Sequence, residues 1–324
     1  MRFFIVRFFI CVNILGLCMA GFLSPAIAVE SRDAEALAHY TMGLIHDLNG
    51  SVDSAIDEYE KSIKIKKDNY ATHLRLGSSY SRQGNFEEAV KELEVAAELN
   101  PKDIQAHYLL VLIYSSQSKE DQASDEYEII LKRVAEQNPE SVEAVAFLGQ
   151  LYYSEGKIDL AIQEFEKVIL IQPENAEILS ILGSLYLETL QKEKAIDFFK
   201  RSIDSDPIHD GSLNSLGYLY AEEGIYLDDA VALIQRALDL DPENGAYLDS
   251  LGWAYYKKGD YEKSLLFLER ASKFIEDPVV YDHIGDVYSK LKKPESAVRF
   301  WQKSLDMLPG QGEILEKIRS VQTP

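Results

Sequence analysis

A small residue returns every 33 to 38 positions along this chain, and that interval leaves few folds open. Gly43, Gly77, Val111, Gly149, Gly183, Gly217, Gly252 and Gly285 are separated by 34, 34, 38, 34, 34, 35 and 33 residues. A fixed period of this length marks a stacked array of like units rather than one globular core. The stretch Leu248 to Ala271, LDSLGWAYYKKGDYEKSLLFLERA, shows the unit most plainly. It reads as helix, short turn and helix, with Gly252 in mid-helix and Gly259 at the turn. A glycine inside a helix costs about 1 kcal/mol against alanine. Its recurrence predicts that a second helix packs closely over it, where a side chain would not fit.

Other columns keep the same phase. Three residues after the small position come His46, Tyr80, Tyr114, Tyr152, Tyr186, Tyr220, Tyr255 and Tyr288. The second helix carries Ala55, Ala89, Ala123, Ala161, Ala195, Ala230, Ser264 and Ala297. Four residues beyond those stand Tyr59, Leu93, Tyr127, Phe165, Phe199, Ile234, Leu268 and Trp301. Pro101, Pro139, Pro173, Pro207, Pro242, Pro278 and Pro309 close units, because proline lacks the N–H and disfavours helix in the residue before it. This pattern resembles the tetratricopeptide repeat family, whose signature is W-x2-L-G-x2-Y, then A-x3-F, then P. The resemblance covers about residues 36–311. It implies an all-α fold, a right-handed α-solenoid of about eight helix-turn-helix units with a C-terminal capping helix. Departures are local. Val111 in place of glycine should push the two helices of the third unit apart. Four extra residues before Pro139 amount to about one helical turn, so that unit's second helix should be one turn longer. One extra residue near Ile225-Tyr226-Leu227 predicts a longer turn in the sixth unit.

The first 28 residues stand outside the array. Arg2 and Arg7 precede a mostly apolar run from Phe8 to Leu23, and Ala26-Ile27-Ala28 is a small-x-small cleavage pattern. This reads as a secretory signal peptide cut after Ala28. An apolar run of 16 residues is short for the roughly 20 of a spanning helix. The alternatives are an uncleaved anchor and a lipoprotein signal ending at Cys18, where Leu15 occupies a position that such signals give to a small residue. Both cysteines, Cys11 and Cys18, lie in this segment, so the mature chain would hold no disulfide. Residues 29–35 form a lead-in. Units then run over about 36–69, 70–103, 104–141, 142–175, 176–209, 210–244, 245–277 and 278–311, with no linker between them. Residues 312–324 supply a cap and tail, with Ile314, Leu315, Ile318 and Val321 on one helical face.

The formal charge is −21, and loss of the two signal arginines would leave −23. Nucleic acid, which needs a basic patch, is an unsuitable partner, and an anionic membrane surface is disfavoured too. Most acids fall at outward positions such as Asp53, Asp57 and Glu58, where they solvate helices. His39, His73 and His107 share one column in three successive units. Equivalent side chains on units that pack about 8–10 Å apart do not converge on one ion with bonds of about 2 Å, so the column is read as packing and no metal is assigned. No G-x-S-x-G, H-E-x-x-H or phosphate-binding loop occurs. Acid pairs such as Asp228-Asp229 are common, but on exposed helices they are solvated surface. Nearly all of the chain is committed to the repeat, so neither an enzyme nor a cofactor is expected.

The resemblance also implies a concave side, lined by the first helix of each unit, that binds an extended peptide or a partner's helix. Projected onto the late units, the facing residues are Asn214, Tyr218, Asp249, Trp253, Tyr256, Asp282 and Asp286. Tyr and Trp dominate binding hot spots, although Trp253 and Tyr218 could instead pack against each other across neighbouring units. The early units offer Tyr40, Leu44, Leu74, Ser78, Tyr108, Leu112, Ser115, Gln150 and Tyr153. The lysine, asparagine and arginine with which some family members clamp a terminal carboxylate are replaced here by Tyr, Leu, Ser and Asp. The block from Leu213 to Ala271, with Leu216-Gly217-Tyr218 and the run from Asp241 to Trp253, is similar to exported repeat proteins of Gram-negative bacteria. That similarity implies an interaction scaffold in the periplasm. The alternatives are a pilotin-type outer-membrane lipoprotein for secretion, pilus or polysaccharide machinery, and a non-catalytic subunit of an envelope enzyme complex.

Overall fold

The structure is a computed structural model that describes residues 25–322, with side chains for 29–321. Among the described residues all regular structure is α-helical. The chain divides into two compact units, one up to Ile130 and one from Leu131 onward. The first contains α1 (Pro25–Leu48), α2 (Val52–Ile65), α3 (Tyr70–Gln83), α4 (Phe86–Leu99), α5 (Gln105–Ser116) and the start of α6 (Glu120–Gln137). The second contains the end of α6 and eleven further helices. These are α7 (Val142–Ser154), α8 (Ile158–Ile171), α9 (Ala176–Glu188), α10 (Lys192–Ser205), α11 (Asp210–Glu223) and α12 (Leu227–Leu240). They continue as α13 (Gly245–Lys258), α14 (Tyr261–Phe274), α15 (Pro278–Lys290), α16 (Pro294–Met307) and α17 (Gly312–Gln322). Odd and even helices pair as hairpins, and each hairpin packs on the next within its unit.

Of the signal reading at residues 1–28, residues 1–24 lie outside the described residues, and 25–28 form the start of α1. The lead-in at 29–35 is not a separate segment, because α1 runs through it from Pro25. Residues 29–35 are exposed, and Ala36 is the first buried residue of α1.

Each hairpin turns where a residue takes the left-handed conformation. Glycine holds that position in most repeats, as at Gly84 and Gly259, while Ser118, Leu190 and Lys292 hold it in three. The sixth repeat spends one residue more, with Gly224 and Tyr226 both left-handed. Most first helices start on side-chain caps. Asn244 Oδ1, for example, accepts from the backbone N–H groups of Ala246 and Tyr247 at 3.1 and 3.2 Å, satisfying donors that have no partner inside the helix.

The mid-helix glycine has the use its recurrence suggests. A Cβ built on Gly183 would lie 2.6 Å from the Phe199 ring, and one on Gly252 would lie 2.6 Å from Leu268 Cγ. The large side chain of the second helix therefore sits in the notch left on the first. Those large residues and the preceding Ala or Ser are 0–2% exposed in every repeat but the third. There, Val111 stands in place of the glycine, Ala123 is half-buried and Tyr127 is 39% exposed. Its second helix, α6, has 18 residues where most of the others have 14, the extra turn supplied by the insertion before Pro139. Successive hairpins are stitched by tyrosines of the Gly+3 column. Tyr80, Tyr186 and Tyr288 donate to Glu60, Glu166 and Glu269 at 2.7, 2.5 and 2.9 Å. At the end of the second unit α17 covers α16 with Ile314, Ile318 and Val321.

Candidate protein-binding face

The face presented by the first helices of successive repeats differs in character between the two units. In the second unit its residues largely engage one another. Trp253 of α13 is 8% exposed. Its indole lies between the ring of Tyr256 at 4.7 Å and the imidazole of His283 at 4.0 Å, both within 15° of parallel. Trp253 Nε1 donates to Glu222 Oε2 on α11 at 2.6 Å, and Lys257 Nζ stands 4.9 Å above the indole ring. Asp249, 9% exposed, lies 3.0 Å from Nδ1 of His283 on α15. One buried cluster thus joins three consecutive first helices.

Asp282 and Asp286, one turn apart on α15, share the ammonium of Lys317 from α17 at 2.7–2.9 Å. Trp301 Nε1 also donates to Asp286, at 3.0 Å. Burial raises the Asp282 carboxyl above its ordinary value against the pull of Lys317. Burial opposes the charge on Lys317 too, but the two carboxylates outweigh it and hold the ammonium more basic than usual. Tyr218 and Tyr256 are pushed up to about 12, chiefly by burial and then by nearby carboxylates. Asn214 is half-buried, and its Oδ1 has no hydrogen-bond partner among the described residues.

Of the seven late positions, then, Asn214, Tyr218, Tyr256, Asp282 and Asp286 are half-buried, while Asp249 and Trp253 are buried. The ring partners of Trp253 are Tyr256 and His283, not Tyr218. His283 and Lys317 were missed in the sequence, since neither falls in a signature column. Only the offsets of about one repeat length back to Asp249 and Asp282 could have signalled them.

The first unit is different. Tyr108 and Leu112 of α5 are 57% and 49% exposed. Between α3 and α5 lies a cleft of about 390 Å³, lined by Leu74, Arg75, Ser78, Ile104, Gln105, Tyr108 and Leu109. Leu74 and Leu109 lie in its floor, Ser78 is half-buried and Arg75 is exposed. Tyr40 and Leu44 of α1 are half-buried, and Tyr40 is tilted against Tyr59 at 6.0 Å. In the second unit Gln150 and Tyr153 of α7 are exposed, and so is Phe147.

The histidine column of the first three repeats is a set of separate pairs. His39, His73 and His107 each place Nδ1 2.5–2.6 Å from a glutamate of their own hairpin, respectively Glu58, Glu92 and Glu126. His73 is the most constrained, because its Nε2 also lies 2.8 Å from the Lys67 carbonyl. Both neighbours are acceptors when Glu92 is ionised, and a neutral imidazole has only one N–H. The geometry therefore calls for the imidazolium. Burial works against that charge, but Glu92 and the carbonyl raise the His73 pKa above its ordinary value. Among the described residues no group of three His, Cys, Asp or Glu side chains could hold a metal ion. No described helix is long and apolar enough to cross a membrane.

Comparison with known proteins agrees with this architecture. Sequence models of the tetratricopeptide repeat match residues 48–113, 176–209 and 214–278, and a TPR repeat model matches 149–189. No curated protein matches the sequence. Among solved structures, a chain of the APC/C Cut9–Hcn1 heterotetramer is similar with a TM-score of 0.55 at 18% identity, over 84% of this chain and 52% of that one. A thermophilic TPR protein from Thermus thermophilus gives 0.47 at 19% identity, over 56% of this chain and 98% of its own. PilF of Pseudomonas aeruginosa gives 0.43 at 15% identity, over 78% and 97%. The chain is a tetratricopeptide repeat protein. Its fold is that of a protein–protein interaction scaffold, an architecture that is typically non-catalytic.

Proposed function

We propose that this protein is a scaffold of the bacterial cell envelope that holds a segment of a partner protein, as extended peptide or helix, against the first-helix face, and that it acts by binding rather than by catalysis. The observation behind this reading is the exposure of Tyr108, which lines the α3–α5 cleft, and of Leu112 one turn further along α5. Large apolar side chains at neighbouring first-helix positions are the kind of surface that marks an interaction site. Asn214, Tyr218, Tyr256, Asp282 and Asp286 supply secondary contacts, with Asp249 and Trp253 supporting them from beneath. Export rests on the arginines, apolar run and small-x-small pattern of residues 2–28.

A photo-crosslinking residue placed at Leu112 in the native host tests the binding face. A protein adduct formed there, and absent when the probe stands at the outward-facing Asp57, is the expected result. Equal labelling from both positions would remove the case for this face. Mass spectrometry of the mature N-terminus tests export: a chain beginning at Val29 supports a soluble periplasmic protein, whereas an acylated Cys18 would make it a lipoprotein.

A further inference from the structure

The α3–α5 cleft carries enough chemistry to say what kind of segment fits it, given that the first-helix face binds a partner. Its lining is mostly apolar: Leu74, Ile104 and Leu109, with the ring of Tyr108. A volume of about 390 Å³ accommodates a bulky side chain and its adjoining backbone rather than a lone methyl group. The polar groups at its edge are uncommitted. Ser78 and Gln105 make no side-chain hydrogen bond among the described residues, and Arg75 makes no ion pair.

Arg32 and Lys67 likewise make no ion pair among the described residues, whereas other cations of this unit do. Lys61 is paired with Glu58, Lys66 with Asp33, Lys91 with Glu87 and Arg82 with Asp47. Arg75 is also the single charged residue among the seven that line the cleft. The protein as a whole is strongly acidic, yet the charge offered here is positive. On the late face the opposite holds, since the Asp282 and Asp286 carboxylates already share Lys317. A guanidinium beside an apolar cleft matches a carboxylate adjacent to a bulky apolar side chain, because the planar fork donates two parallel hydrogen bonds to carboxylate oxygens. Ser78 and Gln105 remain to bond the segment's backbone.

We propose that this cleft takes a bulky apolar side chain of a partner peptide with an aspartate or glutamate beside it, Arg75 supplying the counter-charge. Selection of short random displayed peptides on the full chain, followed by fluorescence polarisation of those enriched, tests this. The expected set shares Leu, Ile, Phe or Trp next to Asp or Glu. Arg75→Glu should weaken these peptides by about tenfold or more, and replacing the peptide's acid with lysine should restore binding to that variant. Tyr108→Ala should weaken binding with unchanged helicity. Enriched peptides that ignore Arg75→Glu, or that are dominated by lysine and arginine, would overturn this assignment while leaving the first-helix face as a docking surface. If no peptide is enriched at all, both readings fall.

Discussion

The third and seventh repeats place different residues at the same positions, and their fates diverge. Where the seventh has Gly252, Leu268 is fully buried; where the third has Val111, Tyr127 is 39% exposed. On the first-helix face the contrast reverses chemical expectation. The polar Asp249 and the amphipathic Trp253 of the seventh repeat are buried, whereas Tyr108 and Leu112 of the third project into solvent. A carboxylate can be buried because His283 and its neighbours answer it across the next helix. Leu112 stays exposed one turn beyond Tyr108, which lines the cleft between α3 and α5. Exposure in a repeat array is thus set by what the adjacent repeats supply, not by a residue's own polarity.

The largest test of that contrast removes the two equivalent side chains. Trp253→Ala deletes a buried indole, its two stacked neighbours' contact and the bond to Glu222, and should cost about 3–5 kcal/mol. Leu112→Ala should change stability by no more than about 0.5 kcal/mol. Urea unfolding combined with hydrogen exchange in α13 and α5 measures both. Equal costs would erase the distinction between the two faces.

Exchanging the notch residue comes next. In Gly252→Val the new Cβ would lie 2.6 Å from Leu268 Cγ and 3.1 Å from the Ser264 carbonyl, one of them backbone that cannot step aside. Overpacking of this kind costs about 1–3 kcal/mol. Val111→Gly should cost at most about 1 kcal/mol of helix propensity and let α6 settle nearer α5. Lower reactivity of Tyr127 toward tetranitromethane, read by peptide mass spectrometry, would report that movement. Unchanged Tyr127 reactivity would mean that something other than Val111 holds the residue out.

The repeat columns made the hairpins readable, because each column is a local steric demand: a notch, a small neighbour, a large filler, a helix stop. The same local logic anticipated the long α6 and the extra turn residue near Tyr226. It did not reveal which face residues are accessible. Trp253 looks like a docking aromatic until Glu222 and His283, each from an adjacent repeat, are brought against it. Lys317 was likewise illegible, since only the position of α17 puts its ammonium between Asp282 and Asp286. Arg75 sits two residues before a signature glycine and belongs to no column, so its freedom from ion pairing is a tertiary fact. Peptide-scale geometry was in the sequence; the pairing of charges across repeats was not.

Histidine marks a further difference, since the column that holds Leu248 in the seventh repeat holds His73 and His107 in the second and third. The His73 pKa is raised in the folded chain, so its protonated form contributes stability in full below the ordinary histidine value of about 6.5. That contribution is lost as pH rises through the raised value, when one of its two acceptors is left facing a lone pair. Hydrogen-exchange protection at the α2–α3 junction, taken relative to the intrinsic base-catalysed rate, should therefore fall across that window, while protection in α7, which has no histidine, shows no matching change. In His73→Leu, which copies the later repeats, the pH dependence should vanish. Its persistence would place the titrating group elsewhere.

The smallest effect concerns the turns. Ser118 in the third repeat takes φ 56°, where the seventh uses Gly259 at φ 84°. A side chain in the left-handed region costs about 1–2 kcal/mol, and glycine avoids this while adding freedom to the unfolded chain. The two terms oppose each other, so Ser118→Gly should stabilise by about 0.5 kcal/mol. No atom lies within 4 Å of a Cβ built on Gly259, which leaves backbone strain as the one cost of Gly259→Ser. That variant should lose about as much as Ser118→Gly gains. Paired thermal melts would show shifts of opposite sign. Shifts of the same sign would mean that Ser118 is held by interactions of its side chain and that the two turns are not equivalent.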